Sequence, residues 1–452
     1  MQIVIVGCGK VGTALAVKLS QEDNNVTIVD TDPRVVRAIT GMYDVMGIVG
    51  NGASYNTLKE ADIEHADLLI AVSKSDELNL LCCVVARRAA KCHTIARVRN
   101  LIYREEREFI RRELGLSMII NPEFAAAQEI ARLLRFPTAI EIDSFSKGRI
   151  EMMRFKVPQG SKLAGIHVRD VSSVQKNLLI CVAERKGEVM IPGGNFLIEA
   201  GDSLSILATP KTASEFFRKI GVKTNQVHSA MIVGGGEITY YLATMLIQMG
   251  IHVVIIEKNQ QRCEVLSELL PDATIIYGDG SDQELLREEN IEGMEAFVAC
   301  TDMDEENIIL SLYARDKVAS KVVTKINHLN FNDVIHSLDL DSLIYPKHIT
   351  AENILQYVRA MKNSMGSNVE TLYKLLDDRV EALEFVIHGN CNITDICLEN
   401  LRLRKNLLVA CINRHGKMII PGGQDSFQKG DSVIVVTTDS GLQNIEDILE
   451  EG

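Results

Sequence analysis

The first chemistry legible in the chain lies in a glycine-rich loop at its start. Gly7-Cys8-Gly9-Lys10-Val11-Gly12 directly follows the apolar run Ile3-Val4-Ile5-Val6 and opens a segment with Val11, Leu15 and Leu19 at helical spacing. In that setting the first glycine turns the chain, the second lets a pyrophosphate approach the backbone, and the third permits close helix packing. The helix N-terminus adds unpaired N–H groups and a partial positive charge for the phosphates. Asp30 ends the next apolar run, Thr27-Ile28-Val29. A carboxylate there accepts hydrogen bonds from adenosine ribose hydroxyls and repels a 2′-phosphate, so the pattern predicts a site for NAD(H) rather than NADP(H). The alternatives for these residues are a structural turn and a solvated helix cap.

The loop returns 227 positions later as Gly234-Gly235-Gly236-Glu237-Ile238-Thr239, after the run Ala230-Met231-Ile232-Val233, and Glu257 answers Asp30. Thr239 stands where the third glycine would, and Glu257 is one methylene longer than Asp30. Gly234 and Gly236 keep the two positions that meet phosphate, so a second nucleotide site is predicted, with lower affinity or a different adenine nucleotide left open. Ser73 and Thr301 fall at the carboxyl end of a fourth apolar run, and Arg97 and Lys325 near the end of a fifth, where parallel sheets hold ligands. Helix capping ahead of Asp76 and Asp304, and plain surface cations, are the alternatives there.

The elements that must position these residues repeat too. Gly50-Asn51-Gly52 matches Gly278-Asp279-Gly280, Asp76-Glu77-x-Asn79 matches Asp304-Glu305-x-Asn307, and Pro192-Gly193-Gly194 matches Pro421-Gly422-Gly423. The order is A-B-A′-B′. In lobe A, apolar runs near 2–6, 26–29, 45–49, 68–72, 94–98 and 117–120 alternate with helical spacing, which predicts a doubly wound parallel sheet. The fold class is therefore α/β: two tandem Rossmann-like sheets, each followed by a small α+β C-lobe. The predicted units are 1–122 and 225–346 for the nucleotide lobes, and 123–224 and 347–452 for a crossover helix with its C-lobe. Helices from Asn121-Pro122-Glu123 to Leu134 and from Pro346 to Met361, each started by its proline, are expected to tie a lobe A to its own lobe B. Positions 362–378, with Met365, Gly366, Ser367 and Asn368, read as a linker.

A formal charge of −13 and a pI near 5.4, without a basic run, argue against nucleic acid as a partner. No apolar stretch is long enough to span a membrane, and the start lacks a signal-peptide pattern, so the expected compartment is the cytoplasm. The ten cysteines are scattered, with no CxxC and no metal-ligand spacing, and are expected to be mostly buried; no metal site is predicted. His167, His388 and His415 have no counterpart in the other repeat and no catalytic spacing. Two dinucleotide loops without a catalytic module point to a cofactor that is sensed rather than consumed. The alternative is an NAD-dependent oxidoreductase; a redox-sensing transcription factor would need a basic helix-turn-helix for which the repeat leaves no space.

The tandem loops, Asp30 and Glu257, the Asp76-Glu77-x-Asn79 helix start, Asn121-Pro122-Glu123 and the Pro-Gly-Gly turns resemble the regulator-of-K⁺-conductance (RCK, or KTN) family, over essentially the full chain. The resemblance implies a regulatory subunit without turnover that binds NAD(H), with ATP or ADP as a second class. It also implies a homo-oligomer, a dimer or tetramer ring, peripheral on the cytoplasmic face of a Trk-type K⁺-translocating membrane subunit. By the same resemblance Gly7, Cys8, Gly9, Lys10, Val11, Asp30, Ser73, Lys74 and Arg97 form the first site. Gly234, Gly235, Gly236, Glu237, Ile238 and Glu257 form the second.

Overall fold

The computed structural model of the chain describes all residues except 23, 104–105, 137–138, 146–148, 222–226, 319, 328–337, 339, 365–368, 377–378, 388–390, 440, 443 and 451–452. Four sheets follow one another along the sequence. The first holds β1 (Gln2–Val6), β2 (Asn25–Asp30), β3 (Met46–Val49), β4 (Leu68–Ala71), β5 (His93–Arg97) and β6 (Met118–Ile120). All are parallel, in the order β3-β2-β1-β4-β5-β6. Helices cover both faces, which is why β1 and β4 read as unbroken apolar runs rather than as alternation. The strand order reverses between β1 and β4, and the crevice outside their carboxyl ends is the place such sheets offer a ligand.

The second sheet is antiparallel: β7 (Glu141–Phe145), β8 (Ile150–Lys156), β9 (Leu178–Arg185), β10 (Glu188–Met190) and β11 (Ser203–Ala208), backed by the helix Pro210–Lys219. The parallel sheet then recurs as β12 (Ser229–Val233), β13 (His252–Glu257), β14 (Thr274–Tyr277), β15 (Ala296–Ala299), β16 (Lys321–Lys325) and β17 (Ser342–Ile344), in the order β14-β13-β12-β15-β16-β17. The last sheet holds β18 (Val369–Leu375), β19 (Val380–Val386), β20 (Leu407–Arg414), β21 (Lys417–Ile419) and β22 (Ser432–Thr437). The α/β class and the duplicated order are those expected from the sequence.

One expectation needs correction. The stretch 362–378 is not a linker throughout: Val369–Leu375 is an edge strand, paired antiparallel with β19. Tyr373 and Leu375, two residues apart, face one hydrophobic cluster, and Leu372 faces another. That period-2 pattern is hard to see among polar neighbours. Met365, Gly366, Ser367 and Asn368 lie outside the described residues, as do His388 and the boundary at 224/225.

The crossover helices lead from each lobe A into its own lobe B, as expected, and Arg135 of the first pairs with Glu151 of that lobe, but they also reach the other copy. Pro122–Arg135 covers not its own lobe A but the helix Glu237–Gln248 of the other copy, burying Ala126, Ala127 and Ile130 with Tyr241, Leu242 and Leu246. Asn121 donates its side-chain amide to the Tyr241 hydroxyl at 3.1 Å, and Phe124 meets the Tyr241 ring edge-on at 5.4 Å. Reciprocally, Pro346–Ser364 lies on the helix Lys10–Gln21, burying Ala351, Leu355 and Val358 with Leu15 and Leu19. Ion pairs Lys18–Glu352 and Arg359–Glu22 flank that contact. An apolar stripe must be covered, and a chain carrying two copies offers the cover internally. The C-lobes also meet face to face, through Phe145, Met152 and Cys181 on one side and Ala382, Cys411 and Val436 on the other.

Eight of the ten cysteines are buried and all ten are free thiols. Among the described residues no helix is long and apolar enough to cross a membrane, and no cluster of His, Cys, Asp or Glu has the arrangement of a metal site.

Candidate nucleotide sites

The three glycines of the first loop have three different reasons to be glycine. Gly7 sits at φ +95°, and a Cβ there would lie 2.7 Å from the Ser73 nitrogen. Gly12 is on the helix, where a Cβ would come within 1.9 Å of the Gly7 carbonyl oxygen. Both are required by the fold itself. Gly9 is not: its φ of −70° suits any residue, and a Cβ there would meet nothing within 4 Å. The open space in front of it is at the start of the helix Lys10–Gln21, where a pyrophosphate lies in this fold. No side chain caps that helix, whereas Asp32, Ser75 and Asn121 cap the helices that follow them. Its N-terminal N–H groups are thus left for something other than a capping side chain.

Asp30 holds the loop rather than standing apart from it. One carboxylate oxygen accepts from the Cys8 N–H at 2.6 Å, the other from the Asp32 N–H at 2.9 Å. Each oxygen keeps a further lone pair for a ribose hydroxyl. Burial, and then the Asp30 charge, push the Cys8 thiol up to about 12, so it stays neutral. Val11 packs its side chain into the core and brings only its backbone to the loop. Ser73 donates its N–H to Asn79 Oδ1 at 2.8 Å, and Arg97 donates Nη2 to the Ser73 carbonyl at 2.7 Å. Burial, chiefly, lowers the Arg97 guanidinium from its ordinary value. Lys10 and Lys74 are exposed at the loop and at the end of β4. The cap of the helix Asp76–Ala89 is Ser75, not Ser73. All nine residues of the first predicted site therefore converge on the carboxyl ends of β1, β2, β4 and β5.

The second loop repeats this arrangement. Gly234 has φ +101°, and a Cβ at Gly236, φ −68°, would again meet nothing within 4 Å. Glu257 accepts from the Gly235 N–H at 2.6 Å and the Asn259 N–H at 2.7 Å, so its extra methylene leaves the contact in place. Thr239, fully buried, donates its hydroxyl to the Gly234 carbonyl at 2.5 Å; the crowding expected of a lost third glycine becomes a hydrogen bond. Ile238 is buried. The residues surround a cleft of about 740 Å³ that also reaches Thr301 and the buried Lys325, and a nucleotide of this size class fits it.

Comparison with known proteins follows the same division of the chain. The TrkA-N domain matches residues 3–122 and 230–346, and the TrkA-C domain matches 152–221 and 382–450. Trk system potassium uptake protein TrkA homolog 1 of Methanosarcina mazei is 31% identical over 99% of both chains. The chain belongs to the TrkA family.

A second TrkA-family relative, the Trk system potassium uptake protein TrkA of Haemophilus influenzae, is 29% identical over 99% of this chain and 98% of its own. Among solved structures, the GsuK channel bound to NAD has a TM-score of 0.63 at 17% identity, covering 96% of this chain and 76% of that one. The GsuK RCK domain gives 0.62 at 18%, over 96% and 92%. GsuK bound to ADP gives 0.50 at 15%, over 80% and 69%. These likenesses show a shared fold.

In this TrkA-family chain several residues around the clefts escaped sequence reasoning. Asn79 and Asn307, both fully buried, bridge neighbouring strand ends: Asn79 Nδ2 donates to the Arg97 carbonyl at 2.9 Å, Asn307 Nδ2 to the Lys325 carbonyl at 3.0 Å. Their recurrence in the repeated Asp-Glu-x-Asn signature was the available signal. Arg262 donates Nε to the Gly235 carbonyl at 2.6 Å and pairs with Glu237 at 3.2 Å, which nothing in the sequence announces. Glu123, at the start of the first crossover helix, lines the second cleft because that helix crosses to the other copy.

Proposed function

We propose that the chain is the peripheral regulatory subunit of a Trk-type potassium uptake system. In this reading it binds NAD(H), and ATP or ADP as a second class, at the two glycine-loop clefts, and acts as a homo-oligomeric ring on the cytoplasmic face of the membrane subunit. The observation that carries the nucleotide reading is the pair Gly9 and Gly236. Each is a glycine for which the protein itself has no use, facing open space at an uncapped helix start. The names of the full-length relatives support the potassium system, and the solved GsuK forms with NAD and ADP support the ligand class. The oxidoreductase alternative draws no support from these names.

The interlock supplies the transmission. The helix Lys10–Gln21 offers its N-terminus to the phosphates and its side to the crossover helix Pro346–Ser364, which leads into β18 of the second C-lobe. A ligand shifts such an assembly only by binding one arrangement better than another. Occupancy of the first cleft thus bears on the second C-lobe, and occupancy of the second on the first.

Since Asp30 also pins the loop, an alanine there confounds ligand contact with loop geometry. Asp30→Asn keeps an acceptor oxygen for one of the two loop N–H groups, turns a donor toward the other, and removes the charge, so the ratio of two cofactors rather than one affinity is the readout. The expected result is NADH binding weakened about tenfold, with NADPH binding weakened less or improved, because the repulsion of the 2′-phosphate is gone. Calorimetric titration with both cofactors reads this; an unchanged NADPH-to-NADH affinity ratio removes Asp30 from ligand recognition.

A further inference from the structure

The two glycine-loop sites are built alike in backbone and differ in charge at several matched positions. β1 and β4 occupy the places of β12 and β15, so positions can be matched across the copies. The first residue of the phosphate-facing helix is Lys10 in one copy and Glu237 in the other. Just past the fourth strand, Lys74 is replaced by Asp302, and one turn into the next helix Leu78 is replaced by Glu306. Beyond the fifth strand, Arg99 becomes Asn327. Glu237, Asp302 and Glu306 all line the second cleft. Glu306 Oε2 and Glu237 Oε2 are buried without a hydrogen-bond partner among the described residues, although Glu237 meets Arg262 through its other oxygen at 3.2 Å.

Cations enter in the other direction at two positions, Lys258 for Thr31 and Arg262 for Val35. Arg262 is already held by Glu237 and the Gly235 carbonyl, and Lys258 is exposed. In the first copy the matched positions also carry Arg97, whose guanidinium reaches the Ser73 carbonyl. Its counterpart Lys325 sits 3.6 Å from Asp302, an anion its own lobe supplies.

We infer that the two clefts sort nucleotides by phosphate charge: the first accepts a nucleoside triphosphate, and the second rejects it in favour of a dinucleotide. The inference rests on the nucleotide reading above and deepens it. A triphosphate brings more negative charge to the loop than the pyrophosphate of a dinucleotide. Lys10 and Lys74 stabilise that charge at the first loop, whereas Glu237 and Asp302 oppose it at the second. A chain with such a pair of sites reads energy charge at one and redox cofactor at the other.

The test uses the full chain in magnesium-free buffer, with ATP and NADH as the probes and calorimetry as the readout. Gly236→Val closes the second cleft to isolate the first, and Gly9→Asp closes the first to isolate the second. The expected result is an ATP-to-NADH affinity ratio at least about tenfold higher at the first cleft than at the second. Lys74→Asp should lower the first ratio by about tenfold and Asp302→Lys should raise the second by a similar factor, as expected for moving two unit charges near a phosphate in a partly exposed site. Both positions are exposed loop residues, and because Asp302 pairs with the buried Lys325, thermal denaturation checks that the Asp302→Lys chain is folded before its ratio is read. Equal ratios at the two clefts, or ratios that stay put while binding is measurable, overturn the charge-sorting inference and leave the nucleotide reading standing. Failure of the unmodified chain to bind either probe overturns both.

Discussion

Gly9→Asp is expected to abolish nucleotide binding at the first cleft while leaving the protein as stable as before, or slightly more stable. The two effects have one cause. Gly9 is the N-cap of the helix Lys10–Gln21, with φ −70° and ψ −166°, a conformation that aspartate adopts readily, and its missing Cβ faces open space. An aspartate there caps the helix N–H groups with its own carboxylate, which is worth a few tenths of a kcal/mol or more over glycine. The same carboxylate occupies the phosphate position and carries the same charge, so NADH affinity at that cleft should fall by roughly 100-fold or more. Gly12→Val is the contrasting variant, since its side chain would collide with the Gly7 carbonyl, 1.9 Å from the Cβ position. It should lower stability by about 1–3 kcal/mol or more through overpacking. Thermal denaturation and NADH titration of the two variants separate the roles; full binding retained by Gly9→Asp would show that the open space at Gly9 is not where the phosphates go.

That contrast also marks the boundary of what the sequence discloses. The strand-loop-helix signature told of all three glycines at once, because local pattern is enough to specify a turn and a helix start. It assigned Gly9 to the ligand and Gly12 to packing on general grounds, and the structure gives Gly12 a steric reason to be glycine and Gly9 none. Thr239 was harder. A side chain in place of the third glycine threatens helix packing, and only the position of the hydroxyl against the Gly234 carbonyl shows how the copy accommodates it. Asp30 and Glu257 are singled out in the sequence as candidate ribose acceptors, but their anchoring of the loops is not legible there, since a carboxylate at a strand end has no sequence mark for the N–H it accepts. Least legible was the course of the crossover helices. The apolar stripe Ala126, Ala127 and Ile130 says that the helix is covered and is silent on which of two similar lobes covers it. Glu123 was missed as a lining residue of the second cleft for that reason alone.

The interlock carries the second large prediction. Expressed as two separate chains, 1–221 and 227–450, the halves should remain associated and co-purify, and 1–221 alone should not be a monomer. The contacts that join the halves are the two crossover helices, each on the first helix of the other copy, and the seam between the C-lobes. Burying one large aliphatic or aromatic side chain is worth about 1.5–3 kcal/mol. Even after the cost of association, the several such side chains on each crossover helix imply a dissociation constant below roughly 1 μM for the halves. In 1–221 alone, Ala126 and Ile130 have lost Leu242 and Leu246. Leu15 and Leu19 of the same half are uncovered too, having lost Leu355 and Val358. A second copy of the half satisfies both deficits at once, so light scattering should find a dimer, reached by the same exchange that the intact chain completes within itself. Tyr241→Ala in the second half removes the acceptor for Asn121 and the ring against Phe124, and should weaken association of the halves by about 3–5 kcal/mol. Folded, monomeric halves that do not associate would show that the crossover contacts do not hold the copies together, and would sever the route by which occupancy of one cleft reaches the opposite C-lobe.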